Sequence, residues 1–341
     1  MNFIVGGGVH EHGRNCFFVE SDINYIVDCG IMRGADEPYP RLSPECIKSA
    51  KYLFLTHMHE DHIGAFGWLL KNGFCGRVIA SPETLRALPE YDKTLALPEA
   101  FRQVNLGEIC ISYGRSGHCV GSLWFHIKTQ QSSALFSGDY CENSLFNVDK
   151  ISGVDAELAV LDCAFGNTPY QREQQEKRIT RFAREALKGG SLLLPVPKNG
   201  RAVDLIYLLG GLKCNFFVDS KLCSFFTEQE KSDYWIPKAI SARIESLIYK
   251  PVDSRLRGIY LIADAQLVTD AVKNTARDIL ENGGKILFTG HIDSGSEAER
   301  LFRGGFADEI ALNAHSCMDD DRILISRNIF GKIVYNHSKD V

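Results

Sequence analysis

Short apolar runs alternate with segments of helical periodicity along most of this sequence. The runs are rich in Val, Ile, Leu and Phe, and several end at Gly, Asp, Asn or His, as buried strands do before a turn. The runs that predict strands are 23–30 (INYIVDCG), 51–57 (KYLFLTH), 133–140 (SALFSGDY), 157–166 (ELAVLDCAFG), 191–197 (SLLLPVP), 215–220 (NFFVDS), 258–264 (GIYLIAD), 285–291 (KILFTGH) and 332–338 (KIVYNHS).

The clearest helical pattern follows the turn sequence GNTPY. Thr168 is suited to cap this helix, and Pro169 is suited to its first turn. Apolar residues then recur at helical spacing over 179–187, and the glycine pair 189–190 predicts the end. Further helices are predicted at 200–209 and 267–282. This alternation of strands and helices predicts a layered α/β fold.

The composition limits the class of protein. A chain of 341 residues with 45% hydrophobic residues can bury a large core in two domains, or in one domain with a large insertion. No apolar run approaches the roughly 18 residues of a membrane span, and the N-terminus does not resemble a signal peptide, so we expect a cytoplasmic protein with no membrane association. The 11 cysteines lack a repeated C-x-x-C spacing, which indicates buried thiols rather than a zinc ribbon.

Charge is distributed unevenly along the chain. Residues 171–260 contain 16 Lys+Arg and 10 Asp+Glu, a balance of +6, so the remainder carries −11 of the total of −5. A basic segment facing an acidic one would suit an anionic substrate. Two ordinary solvated surfaces would give the same contrast, so charge alone leaves both interpretations open.

The stretch LFLTHMHEDHIGAFG, at 53–67, carries the chemistry. Three histidines and two acids lie within six positions, directly after an apolar strand. His57 and His59 are two apart and would point the same way on an extended backbone, whereas Asp61 and His62 lie where the chain turns into a helix. Two residues on one side and two a turn away can serve two metal ions. An exposed polar turn is the alternative, but a protein core cannot satisfy four such groups in six residues.

The pattern H-x-H-x-D-H after a strand resembles the signature of the metallo-β-lactamase fold, an αββα sandwich with metals at one edge of its sheets. The resemblance implies further site residues downstream. His118 in GRSGHCVGS matches the glycine-flanked histidine of the family, and Asp139 in LFSGDY matches its metal-bridging aspartate. Asp28 in YIVDCG matches an aspartate that orients the ligands by hydrogen bonding.

The ligand set indicates the cofactors. Imidazole and carboxylate ligands suit two divalent ions, which we expect to be zinc, with manganese or iron as alternatives. Two metals about 3.5–4 Å apart would clamp a phosphoryl group and hold a bridging hydroxide. Zinc lowers the pKa of bound water to about 7, so hydroxide would be available at neutral pH.

The rest of the chain resembles one branch of this superfamily, the β-CASP nucleases, which include ribonuclease J and the endonuclease of messenger-RNA 3′-end processing. The matching blocks are LDCAFGN, LLLPVPKNGRAVDLIYLLGGL, NFFVDSKLC and KILFTGHIDSGSEAERLFRGG. In that branch an α/β cap domain is inserted into the metal domain. The resemblance implies a first metallo-β-lactamase segment at 1–169, an inserted β-CASP domain at 170–285 and a return segment at 286–341.

Three more residues match motifs of the branch. Asp162 matches the acid that pairs with a catalytic histidine, and His315 matches that histidine, the proposed general acid. His337 matches the last ligand of the second metal, which is typically a histidine in RNA-acting members. The resemblance thus implies one metal on His57, His59, His118 and Asp139, and another on Asp61, His62, Asp139 and His337. Asp61 is therefore counted among the catalytic groups together with His315 and Asp162.

The resemblance implies a two-metal phosphodiesterase acting on RNA, with single-stranded DNA as an alternative. Arg201, which begins a helix, and His291, at a glycine-flanked strand end, are candidate substrate contacts. Cys317 replaces an aspartate that the family often has two residues after the general acid. We expect no appended RNA-binding domain, so substrate binding is expected from the cap, a homo-oligomer or a partner protein. A hydrolase of small nucleotides or other esters, and an inactive scaffold, remain the alternatives.

Overall fold

The computed structural model describes residues 1–100, 102–166, 171–229, 233–246, 249–250, 252 and 256–338. Thr168 and Pro169, the predicted helix start, lie outside these residues. The chain forms two compact units: Met1–Tyr170 together with Ala314–Val341, and Gln171–Asn313. In sequence, the second unit is therefore an insertion into the first.

The first unit contains two six-stranded mixed sheets. The first sheet has the order β1-β2-β3-β4-β5-β6, with β3 to β6 parallel. Its strands are β1 Asn2–Gly7, β2 Cys16–Glu20, β3 Tyr25–Val27, β4 Tyr52–Phe54, β5 Arg77–Ala80 and β6 Thr94–Ala96. The second sheet has the order β18-β11-β10-β9-β8-β7. Its strands are β7 Gln103–Asn105, β8 Cys110–Arg115, β9 Leu123–Lys128, β10 Ser133–Phe136, β11 Asp155–Asp162 and β18 Ile329–Asn336.

The two sheets of the first unit pack face to face. Phe17 of β2 contacts Phe136 of β10, and Phe54 of β4 contacts Phe125 of β9, with ring centroids 6.0 and 5.6 Å apart. Because side chains alternate along a strand, the neighbour Phe18 points to the opposite face, where it joins a helix-side cluster.

Helices cover both outer faces of this sandwich. Leu69 of α3 packs in the cluster on the first sheet, and Leu324 of α11 packs in the cluster on the second. The helices of the first unit are α1 Pro44–Ser49, α2 Glu60–Ile63, α3 Phe66–Lys71, α4 Pro82–Arg86 and α11 Met318–Ser326. The layers are therefore αββα, and the predicted fold class is confirmed.

The strand directions collect polar side chains at one edge of each sheet. Asp28 follows β3, and the histidine motif follows the parallel strand β4. In the second sheet β10, β11 and β18 are parallel, and they are followed or ended by Asp139, Asp162 and His337. The carboxyl ends of parallel strands meet at one edge, where α/β proteins commonly place their sites.

The second unit is built on a parallel six-stranded sheet of order β14-β13-β15-β12-β16-β17. Its strands are β12 Leu192–Pro195, β13 Phe216–Val218, β14 Tyr249–Lys250, β15 Ile259–Ile262, β16 Lys285–Phe288 and β17 Asp308–Glu309. Its helices are α5 Arg172–Gly189, α6 Arg201–Leu209, α7 Ser220–Gln229, α8 Lys238–Glu245, α9 Asp270–Glu281 and α10 Glu297–Arg303.

One boundary derived from the sequence must be moved. The return to the first unit was expected at residue 286, but the structure places it at Ala314. The reason is that β16 pairs with β12 and β17 pairs with β16, so residues 286–313 complete the sheet of the insertion. The first junction, expected after residue 169, falls after Tyr170.

All nine predicted strands are confirmed, as are the helices at 200–209 and 267–282. The predicted helix near His62 is two short helices, α2 and α3, instead of one. Among the described residues, no helix combines the length and apolar composition needed to cross a bilayer.

Candidate metal centre

The loop between β4 and α2 holds the histidine motif against the first sheet. His59 has extended backbone angles at the start of α2, which turns Asp61 and His62 back towards the sheet. The loop lies directly on the segment after β3: the backbone N–H of Cys29 donates to the carbonyl of His62 at 2.7 Å. A Cβ at Gly30 would stand 1.6 Å from the carbonyl oxygen of Asp61, so only glycine allows this approach.

The first cluster brings four donor atoms together. His59 Nδ1 lies 3.0 Å from both His57 Nε2 and His118 Nε2. Asp139 Oδ2 lies 3.4 Å from each of the latter two nitrogens. The four residues can each place one donor atom within 4.8 Å of the others, so this cluster could hold one metal ion.

The other ring nitrogens fix how two of these imidazoles face the cluster. His57 Nδ1 lies 3.1 Å from the Thr56 hydroxyl, and His118 Nδ1 lies 2.8 Å from the carbonyl oxygen of Ala314, to which it can donate. Burial lowers the pKa of His57, His59 and His118, so their neutral forms are favoured. Neutral imidazole is the form that binds a metal. A cation among these converging lone pairs would remove their mutual repulsion.

The second cluster consists of Asp61, His62 and His337, with Asp139 on its border. His337 Nε2 lies 2.8 Å from Asp61 Oδ2, and His62 Nε2 lies 3.2 Å from Asp139 Oδ1. Asp139 thus turns one oxygen to each cluster. Its Oδ1 is buried and has no hydrogen-bond partner among the described residues, which fits a carboxylate that bridges two cations.

Charge distinguishes the second cluster from the first. Burial alone would lower the pKa of His62 and His337, but the carboxylates of Asp139 and Asp61 outweigh it and raise both, that of His337 to about 9. Burial would raise the pKa of Asp61 and Asp139, but the positive imidazoles lower both. Without metal, this cluster is a buried network of opposite charges.

Asp28 forms a hydrogen bond with Nδ1 of His62, the ring nitrogen that faces away from Asp61 and Asp139. One oxygen accepts from the Thr56 backbone N–H at 2.8 Å, and the other accepts from the Thr56 hydroxyl and His62 Nδ1, also at 2.8 Å each. Asp28 is buried. Accepting a proton from Nδ1 directs Nε2 of His62 towards Asp61 and Asp139.

His315 lies at the rim of both clusters. Its Nδ1 is 3.0 Å from Asp162 Oδ2, and its ring centroid is 4.6 Å from that of His118 and 5.1 Å from that of His337. Asp162 is fully buried, and its Oδ2 also accepts from the backbone N–H of Tyr140 at 2.9 Å. The side chain of His315 is 14% exposed, so it can be reached from solvent.

Sequence reasoning missed a buried amide pair. Asn15 Nδ2 lies 3.0 Å from His62 Nε2 and donates to the carbonyl of Asp61 at 3.2 Å. Asn15 Oδ1 accepts from Asn336 Nδ2 at 3.3 Å, beside His337. Both asparagines are buried, so the pair ties the motif loop to the end of β18. The signal in the sequence was an amide placed between a glycine-rich loop and an apolar strand.

The two candidate substrate contacts belong to the second unit. Arg201 begins α6, its Nε donates to the carbonyl of Leu312 at 3.0 Å, and its guanidinium packs on Gly290. His291 is 70% exposed, and its Nε2 lies 3.7 Å from Asp293 Oδ1. The contact of either side chain with a substrate stays a prediction.

Several known proteins are similar to this chain over part of its length. Residues 11–146 match the family model of the metallo-beta-lactamase superfamily. Over 246 residues the chain is 27% identical to "Transcription termination factor FttA" of Methanosarcina mazei, a match covering 60% of this chain and 38% of that protein.

Two other relatives match at 25% identity. They are "Cleavage and polyadenylation specificity factor 73" of Drosophila melanogaster, covering 60% of this chain and 34% of that protein, and "Ribonuclease TTHA0252" of Thermus thermophilus, covering 54% and 48%. The matched part is thus less than half of each of these relatives.

A solved structure shares the fold along almost the whole chain. It is a protein of unknown function from Enterococcus faecalis, with a TM-score of 0.66, 12% identity, and coverage of 99% of this chain and 94% of that one. The matched range 11–146 includes seven of the candidate site residues: Asp28, His57, His59, Asp61, His62, His118 and Asp139. Residues 11–146 therefore resemble the metallo-β-lactamase superfamily, in agreement with the αββα layers of the first unit, and the resemblance of the sequence to the β-CASP nucleases is confirmed.

Proposed function

We propose that this protein is a metal-dependent hydrolase, specifically a two-metal phosphodiesterase that cleaves RNA. The observation that carries the proposal is Asp139, which turns one carboxylate oxygen to each of two donor clusters. A carboxylate in that position can fix two cations at the separation that phosphodiester hydrolysis requires.

The nitrogen and oxygen donors suit zinc, and manganese or iron are alternatives. His57, His59, His118 and Asp139 would hold one ion, and Asp61, His62, Asp139 and His337 would hold the other. When bound, such ions lower the pKa of a water ligand and neutralise charge on a phosphoryl oxygen. Asp28 keeps the second-site imidazole oriented through its hydrogen bond to Nδ1.

His315 is the candidate general acid. Its Nδ1 lies 3.0 Å from the carboxylate of Asp162, and a hydrogen bond donated there orients the ring. A proton on the remaining nitrogen could then pass to the leaving oxygen of a cleaved phosphodiester. In this mechanism Asp162 is a positioning residue, because it acts through His315.

Two observations support RNA as the substrate. The region 171–260 carries a charge balance of +6, which suits a polyanion. The names of the similar proteins include a ribonuclease and a cleavage and polyadenylation factor. Single-stranded DNA has the same backbone charge, and it is therefore the comparison substrate.

The first experiment measures bound metal per chain and the cleavage of end-labelled RNA and single-stranded DNA. Asp61→Ala should lose the second metal and RNA cleavage, whereas Asp92→Ala, at an exposed aspartate outside the clusters, should keep both. Chelator should abolish cleavage, and added Zn²⁺ or Mn²⁺ should restore it. Cleavage that survives Asp61→Ala would rule out the two-metal mechanism, and a protein that binds no metal would be a scaffold.

The second experiment isolates the general acid. His315→Ala should strongly reduce cleavage of RNA, whose leaving oxygen needs a proton, but should largely retain hydrolysis of bis(p-nitrophenyl) phosphate, whose phenolate leaves without one. Equal loss on both substrates would assign His315 to binding or structure. Turnover of small diesters with no cleavage of any polynucleotide would favour the small-substrate alternative.

A further inference from the structure

Helix α5 of the second unit carries a line of cations on one face. Lys177, Arg181, Arg184 and Lys188 follow one another at spacings of four, three and four residues. At about 100° per residue these four side chains fall within about 60° of arc, and at 1.5 Å per residue the line is about 16 Å long. All four residues are exposed.

The opposite face of α5 anchors the helix. Ile179, Ala183 and Ala186 are buried, and by the same helical geometry they lie on the far side from the cations. The line therefore points to solvent from a helix held by its own unit. The lysines at the two ends of the line pair with flanking acids, Lys177 with Glu173 at 2.7 Å and Lys188 with Glu185 at 2.8 Å. The two arginines between them, Arg181 and Arg184, are therefore the cations of this face that are available to a ligand.

A groove beside this line separates α5 from α6. It is lined by Glu173, Glu176, Lys177, Thr180, Arg181, Arg184 and Leu208. Its acids are compensated: Arg172 pairs with Glu176 at 2.8 Å and with buried Asp204, and Glu173 pairs with Lys177 at 2.7 Å. Within the described part of the chain, Arg181 and Arg184 form no ion pair within 4.0 Å.

We propose that the cationic line of α5, residues 177–188, is a binding surface for the phosphate backbone of RNA, separate from the metal clusters. This inference rests on the proposed RNA substrate. It adds a binding surface for nucleotides other than the two that flank the cleaved bond. Guanidinium groups bind phosphate oxygens through paired N–H donors, and the threonine hydroxyl of Thr180 can add a further hydrogen bond. The surface binds the charged backbone and gives no specificity for base sequence.

Salt dependence gives the expected magnitude. Each phosphate contact on a single strand contributes about −0.7 to the slope of log K against log salt. Losing two contacts should therefore make the slope less negative by about 1.4. With equal affinities of variant and wild type at 1 M salt, the variant should bind about 25-fold more weakly than the wild type at 0.1 M salt.

The test compares the holoenzyme with Arg181→Gln/Arg184→Gln, a change that removes the charges but keeps unbranched polar side chains of similar helix propensity. Binding of a short fluorescent phosphorothioate RNA, which keeps the charge and resists cleavage, is followed by anisotropy over a salt series. The matched control is Lys273→Gln/Arg277→Gln, two cations of α9 in the same unit. The α5 variant should lose affinity and slope as calculated, and the control should keep both.

Hydrolysis of bis(p-nitrophenyl) phosphate separates this inference from the proposed function, because this diester has no neighbouring phosphates for α5 to bind. The α5 variant should hydrolyse it at the wild-type rate. Unchanged RNA affinity and an unchanged salt slope in the α5 variant would overturn the inference. The cationic line would then be a candidate surface for an acidic protein partner instead. Absence of metal-dependent RNA cleavage by the wild type would instead overturn the proposed function.

Discussion

Replacing Asp28 by asparagine tests whether this residue sets the second metal site through the tautomer of His62. The carboxylate of Asp28 accepts from His62 Nδ1 at 2.8 Å, so the lone pair of neutral His62 is on Nε2, facing Asp61 and Asp139. An amide has the same shape, but its N–H groups can donate to Nδ1. That contact favours the opposite tautomer, with a proton on Nε2 in the position of the metal.

The magnitude follows from the bonds that change. The introduced amide could still accept from the Thr56 backbone N–H through its oxygen, and the Thr56 hydroxyl can rotate to accept from the amide N–H. The interaction that cannot be replaced is the charged hydrogen bond to His62. Such a bond contributes about 1.5–3 kcal/mol, which corresponds to roughly a 10- to 150-fold weaker second ion, in the range of a 10- to 100-fold effect for partners of metal-bound histidines. Asp28 is linked to the first cluster through the Thr56 hydroxyl, which lies 3.1 Å from His57 Nδ1, and not through a direct hydrogen bond to a ligand, so the first site should largely keep its affinity.

Isothermal titration of metal-free protein with Zn²⁺ resolves the two sites. In Asp28→Asn one dissociation constant should rise and the other should stay, whereas Asp92→Asn, at an exposed site, should change neither. An equal loss at both sites would mean that the fold has changed, which near-UV circular dichroism would detect. Wild-type affinity at both sites would refute the role given to Asp28.

Three further outcomes are expected. Because Asp139 and Asp61 raise the pKa of His62 and raise that of His337 to about 9, both imidazoles must lose a proton before the second ion binds, and the affinity of that site should climb with pH to at least about 9. The first site, with lowered histidine pKa values, should vary little above neutrality, and calorimetry in buffers of different ionisation enthalpy checks this difference. Asn15→Ala leaves the buried amide of Asn336 without its acceptor and should cost about 1–3 kcal/mol in urea unfolding, and an unchanged midpoint would contradict the structural role of the pair. Burial and the charge of Asp162 raise the pKa of Asp321 to about 8, so the folded state keeps a proton that the unfolded state loses near pH 4; stability should fall as pH rises between these values, and Asp321→Asn should reduce that slope in unfolding curves.

How far the sequence predicted the fold depends on burial. Central strands such as β12 and β15 are buried at every position and read as continuous apolar runs. The edge strands β6 and β7 each expose two of three residues, so they left no such signal. Helices α1 and α4 were missed although each begins with a serine cap followed by proline, a pattern that the sequence did contain.

The site residues also differ in how readily the sequence reveals them. The motif at 57–62 could be read directly because four donors lie within six consecutive residues. His118, Asp139 and His337 are single residues whose proximity is created only by strand order, so their inclusion depended on the family resemblance. Asn15 had neither a contiguous motif nor a family match, and only the structure places it against His62.

The return segment, Ala314–Val341, connects metal binding to the strand pairing between the parts of the chain on either side of the insertion. Strand β18 pairs with β11 in a register that aligns Asn336 with Asp162, and the backbone N–H of His337 donates to the carbonyl of Gly8 at 2.7 Å. The partners are far apart in sequence, so loop closure opposes this pairing before any contact forms. Because His337 completes the second cluster and the carbonyl of Ala314 orients His118 in the first, both ions would bind most tightly when the return segment is in place. Metal binding should then stabilise β18 more than β3 or β4, whose pairing needs no contact across the insertion.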